Sequence, residues 1–213
     1  MCIIVYKPKE IAVDDEFMAN MEKCFKENSD GAGYMWSDAN KVHIRKGFMT
    51  WGALKKELKK FAGKNIGLVL HFRLATHGTI DRYTCHPFPI SRKNKDLRSV
   101  RIECDAGIAH NGIVHFCIPP KNSVLSDTQV FVKNYLSKFD LDTLSNPAFG
   151  ELIEEATSSK FALMFPDKVM LIGNFIKDKG VYYSNESYKG ATKYFFKDWT
   201  YGIGKYAGGY GYV

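Results

Sequence analysis

The sequence lacks the long apolar segment that a transmembrane helix requires. No uninterrupted run of about 18 apolar residues occurs in it. The first residues do not form a charged and then apolar leader with a small-residue cleavage site. Since neither a membrane span nor a secretion signal is recognisable, we expect a protein that is made and kept in the cytoplasm.

Cysteines are few, and none of them form a C-x-x-C pair. There are five, an odd number, and this fits reduced thiols better than a disulfide framework. One alternative is a metal site built from cysteines and histidines, but their spacing matches no established zinc pattern, so no metal is expected. Its ligands would come from Cys85, His86, Cys104, His110, His115 and Cys117.

Basic residues are spread along the chain rather than concentrated in one segment. The formal net charge is +7, but no run of five or more basic residues occurs, so nucleic acid is not expected as a partner. The chain has 213 residues, of which 45% are hydrophobic and 25% charged. These values are typical of one sizeable folded domain with its own core.

The spacing of apolar residues predicts a mixed domain of helices and strands. Helices are predicted after Asp14, from Trp51, after a capping box at Ser126 and after Asn146. Strands are predicted over residues 3–5, 33–36, 41–45, 66–70, 106–109, 161–165, 169–173 and 181–184.

Two segments fall outside this pattern. Prolines and charged residues between positions 79 and 105 predict long loops with little regular structure. Residues 199–213 contain five glycines and four tyrosines and are predicted to form a tail, separate from a domain that spans residues 2–198.

A cysteine directly follows the initiator methionine. Removal of Met1 would leave a thiol and a free α-amine on Cys2, so that one residue would hold both a nucleophile and a base. The thiolate is the attacking species, and an α-amino group titrates near pH 7.7–8.0, about where it can accept the thiol proton. The β-branched residues 3–5 predict a buried strand that holds this terminus rigid.

Three further sites carry residues suited to binding a small zwitterion with an amide side chain. Arg73 offers donors that can hold a carboxylate through two hydrogen bonds, and Asp127 offers a carboxylate to an ammonium group. Asn111 and Gly112 supply a side-chain amide and a backbone N–H at a turn, as an oxyanion hole requires. Glutamine would use all of these groups. Singly, each has a simpler interpretation: a structural ion pair at Arg73, a hairpin turn at Asn111-Gly112 and a helix cap at Asp127.

In their order and spacing these motifs resemble the class II glutamine amidotransferase domain, an N-terminal-nucleophile (Ntn) hydrolase. The resemblance is carried by Cys2, the segment HFRLATHG at 71–78, HNG at 110–112 and SDT at 126–128, with DGAG at 30–33 and YSNE at 183–186. It covers most of residues 2–187. It implies an α+β fold: a four-layer α/β/β/α sandwich of two stacked antiparallel sheets flanked by helices.

The resemblance also implies roles for individual residues. Cys2 would be the nucleophile, with its α-amine as the base, and Asn111 and Gly112 would form the oxyanion hole. Arg73 would bind the α-carboxylate of glutamine and Asp127 its α-ammonium. Thr76 and His77 would line the pocket.

The activity implied is hydrolysis of L-glutamine to glutamate and ammonia through a thioester on Cys2, without a cofactor. Many members of the family carry a fused domain that uses the ammonia, and no acceptor site is visible in this sequence. We therefore expect the ammonia to pass to an acceptor on a separate protein, such as a synthetase subunit.

The sequence departs from the family pattern at two positions, and several alternatives stay open. Ile3 replaces a common glycine and Leu74 a common aromatic residue, which affects the expected shape of the pocket. One alternative is an Ntn amidase acting on another γ-glutamyl or acyl amide, and a second is a catalytically silent subunit that binds a partner. Pairing of Cys2 with His77, as in papain-like enzymes, is a third.

Overall fold

Two antiparallel sheets are stacked on each other in the computed structural model, which describes residues 2–75 and 80–190. The described strands are β1 (Ile3–Lys7), β2 (Ala32–Ser37), β3 (Val42–Phe48), β4 (Leu68–Phe72), β5 (Phe88–Pro89), β6 (Arg101–Cys104), β7 (Gly107–Asn111), β8 (Lys160–Met164), β9 (Val169–Ile172), β10 (Ile176–Asp178) and β11 (Val181–Tyr183). The larger sheet has the order β10-β11-β1-β4-β2-β3-β6, and the smaller sheet has the order β5-β7-β8-β9.

Helices lie on the outer face of each sheet. The described helices are α1 (Asp15–Glu27), α2 (Trp51–Leu58), α3 (Asn94–Leu97), α4 (Asp127–Asn134), α5 (Leu141–Leu144) and α6 (Pro147–Thr157). The predicted helix starts are confirmed because Asp14, Thr50, Ser126 and Asn146 each accept a backbone N–H of the first turn. At Ser126 the predicted capping box is complete, with the Gln129 side chain returning to the cap backbone.

Three layers of apolar side chains separate the four layers of secondary structure. The first lies between the larger sheet and the helices α1 and α2, and includes Phe17 and Leu70. The second lies between the two sheets and includes Ile4 and Ala162. The third lies between the smaller sheet and the helices α4 to α6, and includes Phe161. The predicted four-layer α/β/β/α sandwich is therefore confirmed.

The prediction of little regular structure over residues 79–105 is wrong for the part that the structure describes. That part contains β5, α3 and β6. Strand β6 is an edge strand paired with β3, and Arg101 and Glu103 face solvent, so its apolar pattern is too short to recognise. The segment is fixed from beneath by the buried Lys46, whose Nζ donates to the carbonyl oxygens of Tyr83 at 3.1 Å and Leu97 at 2.8 Å.

The ends of several strands meet at one edge of the sandwich. Strand β1 begins beside the end of β4, with Ile3 paired to Phe72, and β11 ends on the other side of β1. In the smaller sheet β7 ends at Asn111. This edge carries Cys2, Arg73 and Asn111.

Two predictions about the whole chain extend beyond the described residues. None of the described helices is long and apolar enough to cross a membrane. The predicted tail at 199–213 lies outside the described residues, so the boundary at residue 198 stays a prediction.

Candidate active site

Four segments bring Cys2, Arg73, Asn111 and Asp127 to the same edge of the sandwich. Cys2 precedes β1, Arg73 follows β4, Asn111 ends β7 and Asp127 begins α4. The predicted site residues that the structure describes thus converge, although they come from both sheets and from a helix on the outer face of the smaller sheet.

The thiol of Cys2 is held by the backbone of the neighbouring strand end. The N–H of Leu74 donates to its Sγ at 3.3 Å, and the thiol can donate to the Leu74 carbonyl oxygen at 3.4 Å. Burial raises the pKa of the Cys2 thiol, while the Leu74 N–H and the Arg73 guanidinium act against that rise. The carbonyl oxygen of Cys2 accepts a hydrogen bond from Nδ2 of Asn185 at 2.7 Å. The nucleophile is therefore fixed on both its side chain and its backbone.

Arg73 is 6% exposed and is positioned by a glycine-bearing loop. Its backbone N–H donates to the carbonyl of Gly31 at 2.8 Å, and its carbonyl accepts the N–H of Asp30 at 3.0 Å. The carboxylate of Asp30 also accepts the N–H of Ala75 at 2.7 Å. Gly31 has φ +114°, and a Cβ there would lie 2.5 Å from Sγ of Cys85. This explains the glycine in the 30–33 motif: the loop must pass close to Cys85 to hold residues 73–75.

Asn111 and Gly112 lie where β7 ends. Asn111 is 8% exposed, and its Nδ2 donates to Oγ of Ser184 at 2.9 Å. Gly112 has φ +151°, and a Cβ there would lie 2.2 Å from Oγ of Ser159. A residue without a Cβ can let a substrate approach the backbone closely. The group that approaches it most closely in the structure is Ser159 of the protein itself.

Asp127 links helix α4 to the segment that follows Gly112. Its Oδ2 accepts the backbone N–H of Val114 at 2.8 Å, and its Oδ1 lies 3.4 Å from Oγ1 of Thr128. The helix cap is Ser126, not Asp127, so the simpler interpretation of Asp127 as a cap is wrong. The carboxylate is half-buried and lies at the N-terminal end of a helix, where a negative charge is stabilised.

Two predicted pocket residues are not placed by the structure. Thr76 and His77 lie outside the described residues, and so does Met1. Their predicted roles, and the alternative pairing of Cys2 with His77, stay predictions.

Behind the site lies a buried cluster of three histidines that the sequence reasoning missed. The cluster consists of His71, His86 and His110. Nε2 of His71 donates to the carbonyl of His110 at 2.9 Å, and the rings of His71 and His86 are 4.2 Å apart. Nδ1 of His110 and Nε2 of His86 both meet Oγ1 of Thr128, at 2.8 and 3.2 Å. His71 and His110 lie within the motifs at 71–78 and 110–112, and His86 and His110 are among the alternative metal ligands, but nothing in the sequence indicated that the three lie together.

The three histidines are uncharged over the neutral range because they are buried. Burial lowers the pKa of His71 and of His110 to about 3 and holds that of His86 well below its ordinary value. His71 lies two positions before Arg73, and His110 directly precedes Asn111. Their contact partner Thr128 directly follows Asp127, so the cluster joins the segments that carry three of the predicted site residues.

Among residues 2–75 and 80–190, no group of three or more His, Cys, Asp or Glu side chains is arranged to hold a metal ion. The five cysteines of this part of the chain are all free thiols. Cys85 and Cys117 are buried at separate places, the first beside Gly31 and the second in the core under α4.

Comparison with known proteins gives a match at the level of the fold. No family model and no curated protein matches the chain. The chain is similar to the solved structure of glutamine phosphoribosylpyrophosphate amidotransferase from B. subtilis complexed with ADP and GMP, with a TM-score of 0.48 and 17% identity. It is also similar to a structure described as the allosteric regulatory enzyme of purine biosynthesis, with a TM-score of 0.52 and 18% identity.

Each similarity covers 86% of this chain but only 41% of the other chain, so this chain spans about two fifths of the length of either protein. The second similarity shows a shared fold. The chain therefore shares the fold of that enzyme, and the arrangement implied by the motif resemblance, two stacked antiparallel sheets flanked by helices, is confirmed.

Proposed function

We propose that this protein catalyses the glutaminase reaction of a class II glutamine amidotransferase, hydrolysing L-glutamine to glutamate and ammonia. One observation carries the proposal: the Cys2 thiol lies against Leu74, beside the charge of Arg73, and its strand is joined to Asn111 of the other sheet through Ser184. The residues proposed as nucleophile, carboxylate-binding cation and oxyanion donor thus lie at one edge of the fold.

Arg73 and Asp127 account for the choice of a free amino acid. The guanidinium of Arg73 would bind the α-carboxylate, and the half-buried carboxylate of Asp127 would bind the α-ammonium. Asp127 can do so because its bond to the Val114 N–H uses only part of its accepting capacity. Thr76 and His77 would complete the pocket.

The reaction begins after removal of Met1, when the α-amine of Cys2 takes the thiol proton. The thiolate attacks the γ-carboxamide carbon, and the oxyanion that forms receives hydrogen bonds from Nδ2 of Asn111 and the N–H of Gly112. The amine returns the proton to the departing nitrogen, and ammonia leaves a γ-glutamyl thioester on Cys2. Water then attacks the thioester, giving its proton to the amine, and releases glutamate and the thiol.

The raised pKa of the Cys2 thiol is consistent with a mechanism in which the α-amine of the same residue acts as the base. An unassisted thiol that burial keeps protonated is a poor nucleophile, whereas an amine on the same residue can remove the proton in step with attack. No metal and no cofactor takes part in these steps.

The ammonia would be used on a separate protein. We infer that an acceptor protein, such as a synthetase subunit, binds this one and consumes the ammonia.

Asn111→Ala tests the assignment of the oxyanion donor. Loss of one such donor lowers kcat by about two to three orders of magnitude, so glutamate release from L-glutamine should fall to that extent with little change in KM. Asn134→Ala, at the exposed end of α4, is the matched control and should leave kcat unchanged. Equal kcat in wild type and Asn111→Ala would refute the assignment.

A further inference from the structure

Ser184 connects the two sheets at the site. It follows β11 in the larger sheet and is 1% exposed. Its Oγ accepts the N–H of Ile4 at 2.8 Å and Nδ2 of Asn111 at 2.9 Å. Ile4 belongs to the strand that carries the nucleophile, and Asn111 belongs to the smaller sheet. One hydroxyl oxygen thus lies between the nucleophile strand and the predicted oxyanion donor.

The hydrogen bond between Ser184 and Asn111 restricts the orientation of the Asn111 amide. A hydroxyl oxygen has two acceptor positions, and the N–H of Ile4 and the amide of Asn111 occupy both. Because the contact is buried, rotation of the Asn111 amide away from Ser184 would leave polar groups without partners in a dry environment. The amide nitrogen of Asn111 carries a second hydrogen, so the contact fixes the direction in which that hydrogen points.

Three further hydrogen bonds hold Ser184 and the residue that follows it. Its N–H donates to the carbonyl of Ile4 at 2.9 Å, and its carbonyl accepts Nζ of Lys160 at 2.6 Å. The next residue, Asn185, donates to the carbonyl of Cys2 at 2.7 Å. Residues 184–185 therefore clamp residues 2–4 and Asn111 in one arrangement.

We propose that Ser184 is a positioning residue. It directs the second N–H of the Asn111 amide toward the carbonyl oxygen of the substrate amide that Cys2 attacks. This inference rests on the proposed glutaminase function. It predicts that Ser184 acts on the reaction through Asn111 and has no separate contact with substrate.

A double-mutant cycle on the full-length protein tests it, with glutamate release from L-glutamine as the readout. Ser184→Ala should lower kcat by about ten- to a hundredfold, the cost expected when a catalytic group is misplaced, with KM little changed. In the Asn111→Ala background, the same substitution should lower kcat by no more than about twofold, because residues that act as a unit are not additive. Ser184→Thr keeps the hydroxyl and should retain most of the activity.

Ser37→Ala is the matched control, since Ser37 also joins the two sheets but at their far end, where its Oγ donates to the carbonyl of Pro166. It should leave kcat unchanged. Thermal unfolding of each variant shows whether it is folded. If Ser184→Ala does not fold, Ser184→Cys takes its place, because a thiol is similar in size to a hydroxyl but is a weak hydrogen-bond acceptor.

The outcomes separate the inference from the function on which it rests. If wild type hydrolyses glutamine and Ser184→Ala lowers kcat by the same factor with and without Asn111, the positioning role is refuted and the function stands. If correctly processed wild type releases no glutamate, the proposed function is refuted and the inference with it.

Discussion

The Sγ of Cys2 lies 3.3 Å from the backbone nitrogen of Leu74, the residue that follows Arg73. The thiol is therefore bound to the same short segment that carries the predicted carboxylate-binding residue. Any movement of this segment on substrate binding would move a hydrogen bond to the nucleophile. If Arg73 binds the substrate carboxylate as proposed, that binding and the reactivity of the thiol are physically linked.

Arg73→Gln should make the Cys2 thiol less reactive even without substrate. The guanidinium lowers the pKa of this thiol, so its removal raises the pKa and reduces the thiolate fraction at a given pH. The rate of Cys2 alkylation by iodoacetamide, followed by peptide mapping, should reach its half-maximum at a higher pH than in wild type. Arg92→Gln, on the surface, should leave the profile in place. A profile for Arg73→Gln that coincides with wild type would show that the charge does not act on the thiol.

Asp127→Asn should weaken binding of glutamine without disturbing the nucleophile. The amide oxygen of the variant can still accept the Val114 N–H, so the local structure is kept while the charge is lost. A hydrogen bond to a charged group contributes about 1.5–3 kcal/mol, so KM should rise about ten- to a hundredfold.

Cys2 alkylation provides the internal check on Asp127→Asn, since its rate should be the same as in wild type. Asp142→Asn, on the exposed face of α5, should leave KM unchanged. An unchanged KM for glutamine in Asp127→Asn, or equal activity on glutamine with a blocked α-amine, would favour an amidase acting on another γ-glutamyl or acyl amide.

The fold was largely predictable because its apolar pattern is local and regular. Strands such as β1 and β8 are short apolar runs, and α1 and α6 begin at side chains that cap them. The prediction for residues 79–105 failed because this segment is stabilised by residues far away in the sequence. Lys46, which holds the carbonyl of Leu97, is 51 residues away in sequence.

The site was predictable only as a set of motifs, not as a set of contacts. The sequence predicted Cys2 and Asn111 but not that Ser184, which is 73 residues from Asn111, joins Asn111 to Ile4 in the strand that follows Cys2. The capping box predicted from the sequence makes Ser126 the helix cap, and the contacts of Ser126 and Gln129 confirm this over the alternative that Asp127 is the cap.

The buried histidine cluster predicts a loss of stability in mild acid. His71 and His110 have a pKa of about 3 in the folded protein, whereas histidines in an unfolded chain have a pKa of about 6.5. As the pH falls below about 6.5 the unfolded state binds protons that the folded state does not. The free energy of unfolding should therefore fall between about pH 6.5 and 3, by up to about 1.4 kcal/mol per pH unit for each histidine.

His86→Gln removes one of the three groups and should reduce this pH dependence by about one third, since each histidine contributes a similar slope. Urea unfolding should be measured at several pH values between about 7.5 and 4.5, a range that includes the pKa of a histidine in an unfolded chain. The measurements give the slope of the free energy of unfolding against pH. His115→Gln, an exposed residue outside the cluster, is the control. Identical slopes for wild type and His86→Gln would contradict a neutral, buried His86.

The central claim is that Cys2, with Met1 removed, is the nucleophile of a glutaminase. It is tested most directly by glutamate release from L-glutamine by the purified protein and by Cys2→Ala, with intact mass measured to confirm removal of Met1. The account predicts hydrolysis by wild type and none above background by Cys2→Ala. Equal hydrolysis by both proteins, or none by correctly processed wild type, would contradict it.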